Sequence, residues 1–70
     1  MLIGLRNKAG DLRVRDILDI NIDMRVEQTA EGFLVRMNRQ YYLDEKFSTR
    51  KNAENAIYNI ANIRNEMEEM

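Results

Sequence analysis

The side chains in this chain with chemistry to offer are arginines, carboxylates and amides. Arg13, Arg15, Arg25 and Arg36 accompany Leu34 and Tyr42, and Asn52, Asn55, Asn59 and Asn62 recur at steps of three and four. Arginines beside an aromatic on a sheet face bind single-stranded nucleic acid by phosphate contact and stacking. Asp44, Glu45 and Glu54 are the carboxylates from which a metal cluster would be imagined, but their spacing matches no known ligand pattern. The chain has no histidine and no cysteine. That removes Ser-His and Cys-His nucleophiles, zinc sites built on those ligands, and any imidazole proton shuttle near neutral pH. Ser48 is the only serine. No catalytic, cofactor-binding or metal-ligating set emerges, so the chain reads as a non-enzyme without a cofactor.

Positioning these groups falls to few elements, because 70 residues make a single domain, 1–70. Leu18, Ile20, Ile22, Met24 and Val26 alternate with Asp19, Asn21, Asp23 and Arg25. Alternation with period two is the pattern of a half-buried strand, and predicts one over Leu18 to Glu27. One wet face implies an antiparallel sheet covered on its other side. Leu2 to Arg6 and Leu12 to Arg15 read as a hairpin around Asn7-Lys8-Ala9-Gly10-Asp11, since Asn and Gly suit tight turns. Asp16-Ile17 is a corner or the end of one helical turn. Gln28 to Gly32 reads as a hairpin loop, Phe33 to Met37 as the next strand, Asn38-Arg39-Gln40 as a turn, and Tyr41 to Phe47 as the last strand, with Glu45 breaking its apolar face.

The period changes at Ser48-Thr49, either of which can cap a helix. Ala53, Ala56, Ile57, Ile60, Ile63 and Met67 then form one stripe of an amphipathic helix running to the C-terminus. The predicted fold is α+β: an antiparallel four- to five-stranded meander with one C-terminal amphipathic helix packed on its apolar face.

This arrangement leaves two surfaces. On the polar sheet face, Arg25, Arg36, Arg13 or Arg15, and Asn38 are placed side by side, with Leu34 and Tyr42 pointing outward among them. Asp19, Asp23 and Glu27 stand where they would neutralise the arginines as cross-strand pairs. On the helix, Asn52, Asn55, Asn59 and Asn62 share a strip, beside which Tyr58 faces out. Asparagine is a poor interior helix former, so the row reads either as a contact surface or as compositional drift. Glu66, Glu68 and Glu69 at the helix end are an anion-mimicking tip or a solubilising end.

The formal net charge of −1 lacks the basic excess of a dedicated nucleic-acid binder. The apolar stretch before Arg6 is too short for a signal peptide or a membrane span, so the expected location is cytoplasmic with no membrane partner. A domain this small hides only about 60% of its unfolded surface and has no disulfide to assist it. A homo-oligomer, most simply a dimer, is therefore expected.

Tyr41 to Ile60 resembles a pattern found in small orphan proteins of low-GC Gram-positive bacteria and their phages. In these a last strand ends in an aromatic, here Phe47, followed by Ser48-Thr49 and a helix with Ala53, Ile57 and Ile60 at core spacing. The resemblance covers the C-terminal third and implies a phage- or prophage-type accessory or inhibitor protein that binds a host factor; no functional residue carries over. Taken together, the expectation is a non-enzymatic protein–protein interaction module with contacts among Leu34, Tyr42, Arg25, Arg36, Tyr58, Asn55, Asn59 and Asn62. The alternative is a weak nucleic-acid-binding protein using Arg13, Arg15, Arg25 and Arg36.

Overall fold

The structure, a computed structural model, describes residues 1–20, 23–38 and 41–68. It contains β1 (Leu2–Asn7), β2 (Leu12–Asp16), a single 3₁₀ turn (Ile17–Asp19), β3 (Arg25–Thr29), β4 (Gly32–Asn38), β5 (Tyr41–Phe47) and α1 (Arg50–Glu68). The expected α+β class holds: five antiparallel strands with the C-terminal helix packed against one face. Across the sheet the strands run β2-β1-β5-β4-β3. The hairpin β1–β2 and the three-stranded run β3–β4–β5 are each local. They meet where β5 lies against β1.

Local chemistry sets each boundary. The β1–β2 turn has the amide of Gly10 donating to the carbonyl of Asn7 (3.1 Å) and the amide of Asn7 donating to the carbonyl of Asp11 (3.1 Å). Gly10 has φ 93°, the left-handed position that closes a type I turn with a bulge. Asn7 reinforces it, its Oδ1 accepting from the Asp11 amide at 2.9 Å. In the β3–β4 turn, Gly32 has φ 136°, and a Cβ there would lie 2.8 Å from the carbonyl oxygen of Phe47. Only glycine fits. The helix is capped by Thr49, whose Oγ1 accepts from the Asn52 amide at 3.1 Å.

The strand expected over Leu18 to Glu27 is largely overturned. Among its described residues, only Arg25 to Glu27 are strand. Asp16 accepts from the Leu18 amide (3.1 Å) and starts the 3₁₀ turn. Ile17 and Ile20 are buried, while Leu18 faces solvent. The physical reason is topological. The chain must travel from β2 at one edge to β3 at the other, about 19 Å over four interstrand gaps. The crossing runs on the helix side, so Ile17 and Ile20 join the core at helical rather than strand spacing. Arg64 of α1 fastens it there by donating to the carbonyl of Ile20. Asn21 and Ile22, expected in that strand, lie outside the described residues, as do Arg39 and Gln40 of the expected β4–β5 turn, the side chain of Asn38, and Glu69.

The core comprises Leu5, Ile17, Ile20, Val35, Met37, Ala53 and Ile60, flanked by Ile3, Met24, Val26, Phe33, Tyr41, Leu43, Phe47, Ile57, Ile63 and Met67. The helix stripe read from the sequence thus covers the sheet. Glu45 stays exposed at an inward-parity position because the β4–β5 register shifts between Leu34–Lys46 and Arg36–Tyr42. The extra β5 residues bulge and carry the charge away from the core.

Candidate interaction surface

The face of the sheet turned away from α1 carries Leu2, Gly4 and Arg6 of β1, Leu12 and Val14 of β2, Tyr42, Asp44 and Lys46 of β5, Leu34 and Arg36 of β4, and Arg25 and Glu27 of β3. The register fixes this: Leu5, Val35 and Val26 point to the core, so their neighbours in sequence point away.

At its centre sits Tyr42. The exposure expected of it does not hold: it is only 7% exposed, although it faces away from the core. Its neighbours enclose it. The Glu27 carboxylate stands by its hydroxyl, and the ammonium of Lys8 stands 5.9 Å from its ring centroid. The nearby Glu27 carboxylate, with burial, holds the phenol above the ordinary tyrosine range, opposed by Arg36. Oε2 of Glu27 is buried without a hydrogen-bond partner among the described residues. A depression of about 200 Å³ beside the ring is lined by Arg6, Asn7, Lys8, Leu34, Tyr42, Asp44 and Lys46.

The depression is lined by three cations, but two of them are held in ion pairs and the third lies over the Tyr42 ring. Arg6 Nε lies 2.8 Å from Asp44 Oδ1, and its Nη1 donates to the Gly10 carbonyl at 2.9 Å. That bond, together with the Arg6 charge, holds the Asp44 carboxyl below the usual range, and burial opposes it. Lys46 pairs with Glu31 and lowers that carboxyl in the same way.

The proposed site residues separate into two groups on opposite sides of the molecule. Leu34, Tyr42, Arg25 and Arg36 share the outer sheet face, with Arg36 opposite both Arg25 and Tyr42 in register. Leu34 is half-buried. Arg25 is exposed and paired with Asp23 (3.4 Å). Asn55, Tyr58, Asn59 and Asn62 are exposed on α1. Arg13 and Arg15 do not join Arg25 and Arg36. Arg13 pairs with Leu5 and Arg15 with Ile3, so both project on the helix side, and Arg13 lies 5.2 Å from the Tyr41 ring centroid. The single arginine surface expected for nucleic acid is therefore split between two faces.

That split exposes what the sequence reading missed. Strand β2 is out of phase with the rest of the sheet. Its arginines face the helix side and its apolar residues face away from the protein's own core. Leu12 is 52% exposed, Val14 53%, and Leu2 on β1 beside them 68%. Gly4, opposite Val14, presents no side chain between them; a Cβ there would sit 3.6 Å from Leu12 and 3.7 Å from Asp44. The helix cannot shield them, since it packs on the opposite face, mainly against β3, β4, β5 and the 3₁₀ turn. The alternation Leu-Arg-Val-Arg was visible in the sequence, but only the pairing Leu5–Arg13 shows which side it presents.

No group of three or more Asp or Glu residues able to hold a metal ion occurs among the described residues, and no described helix is long and apolar enough to cross a membrane. Compared with protein-family models, curated proteins and solved structures, the chain matches none.

Proposed function

We propose that this chain is a non-catalytic protein-binding module whose contact surface is the bare side of the β1–β2 hairpin, formed by Leu2, Gly4, Leu12 and Val14. The observation that carries this is the inverted phase of β2. In a sheet with one helix cover, apolar side chains belong under the helix, and here two of them are turned to water on a strand that gives no residue to the core. Clustered exposed apolar groups mark contact sites. The half-buried Leu34 and the enclosed Tyr42 extend the surface toward the centre of the sheet. An accessory or inhibitor role toward a host factor, as the resemblance at Tyr41 to Ile60 implies, would use the same surface. Nucleic-acid binding has less support, because its arginines lie on two faces.

The test is affinity capture with the wild type and a Leu12→Gln, Val14→Thr double variant, both checked for unchanged folding by circular dichroism. Proteins retained by the wild type are lost with the variant if the hairpin is the contact surface. Equal recovery by both overturns the assignment.

A further inference from the structure

The free edge of β2 gives the hairpin surface a specific partner. Ladder alternation settles which backbone groups are unused. Asn7 bonds across to Gly10 and Asp11, so Leu5–Arg13 and Ile3–Arg15 are the bonded pairs that follow. The amides and carbonyls of Leu12 and Val14 therefore point outward along the edge. Arginines on an edge strand ordinarily guard it against pairing. Arg13 does not: its guanidinium reaches back across β1 onto the Tyr41 ring. Arg15 is the remaining guard, donating to the Val14 carbonyl at a long 3.3 Å.

We propose that two copies of this chain join edge to edge through β2, antiparallel about a twofold axis at Arg13, into one continuous sheet. The proposal rests on the reading of the hairpin as the contact surface. Its support is self-complementarity. In this register Leu12 faces Val14 of the second copy, twice, on the outer side. Asp11 faces Arg15, twice, on the helix side, and Arg15 leaves the Val14 carbonyl to meet it. Opposite charges and apolar groups directly across an antiparallel pair are the stabilising combinations. The like-charged pair on the axis, Arg13 with itself, is relieved by Tyr41. Shifting the axis to Val14 instead sets Arg13 against Arg15 and Leu12 against Asp16, which is unfavourable on both faces. The four aliphatic side chains of the two β2 strands merge into one strip across the seam.

The experiment is sedimentation equilibrium of the whole chain from micromolar to millimolar concentration, combined with cysteine trapping, which is clean because the chain has no cysteine of its own. The wild type should reach a dimer mass. Arg13→Cys should form an interchain disulfide under mild oxidation. Arg15→Asp should weaken association about tenfold or more by placing like charges opposite Asp11, and adding Asp11→Arg should restore it. A monomeric wild type at every concentration overturns the dimer, while the hairpin reading stands if the Leu12→Gln, Val14→Thr variant still loses captured proteins. A dimer that ignores the charge swap, or an Arg13→Cys variant that does not cross-link, also overturns this seam.

Discussion

Two side chains on the outer face carry their surroundings in their titration. Tyr42 is held protonated by Glu27. A raised pKa contributes stability that is complete below the ordinary tyrosine value and is lost as pH rises through the raised one. Tyr42→Phe should therefore remove the most alkaline limb of the phenolate absorbance titration; an unchanged limb would show that Glu27 does not hold the phenol. Asp44 works in the opposite direction. Its carboxyl is depressed by Arg6, so its contribution is present above the ordinary aspartate value and fades as pH falls through the depressed one. Arg6→Gln should return the Asp44 carboxyl toward the ordinary range in a side-chain carbon NMR titration. Glycines divide in the same local way. Gly32→Ala forces a Cβ against the Phe47 carbonyl at a positive φ and should destabilise by more than about 1 kcal/mol. Gly4→Ala meets only ordinary contacts in a strand and should be neutral or stabilise by about 0.5 kcal/mol. Denaturant midpoints of the two variants decide both.

At the level of elements, the helix and the strands β4 and β5 were plain in the sequence, because each buries one face against one neighbour and its period shows directly. Thr49 as the cap was one of two choices; Thr49→Ala should cost about 1 kcal/mol, read as a lowered denaturant midpoint. The segment after Asp16 was misread for an identifiable reason. Its alternating residues match a strand in isolation, but the alternation cannot express that the chain has to cross the sheet there. The buried pair is Ile17 and Ile20, three apart, and only the first belongs to neither alternating set. Ile17 is fully buried and anchors the crossing, so Ile17→Ala should cost roughly 2–5 kcal/mol in urea unfolding. A loss under about 1 kcal/mol would mean that the crossing is not fixed by the core. The outer surface was harder still. Leu34 and Tyr42 were placed on the correct face, yet the enclosure of Tyr42 depends on Lys8 from the β1–β2 turn and Glu27 from β3, which are remote in the chain and leave no local signal.

For the molecule as a whole, the distribution of burial separates stability from recognition. Leu12 and Val14 pack into no part of the core, so Leu12→Gln with Val14→Thr should shift unfolding free energy by no more than about 0.5 kcal/mol per site. A larger loss in thermal unfolding, measured at a concentration where the wild type is monomeric, would reassign the hairpin surface to the fold itself. The strand order β2-β1-β5-β4-β3 has a further consequence, and it concerns time. The ladder joining the hairpin to the rest runs through Leu5–Leu43, Arg6–Tyr42 and Asn7–Tyr41, partners far apart in the chain, whereas the other ladders join consecutive strands. Closing that seam carries the largest loop-closure cost of the four ladders and is expected to be the slow step of folding. In the native state it is the natural line of partial opening. Amides bonded across it should exchange with solvent together, by an opening that leaves α1 and the β3–β4 and β4–β5 ladders protected.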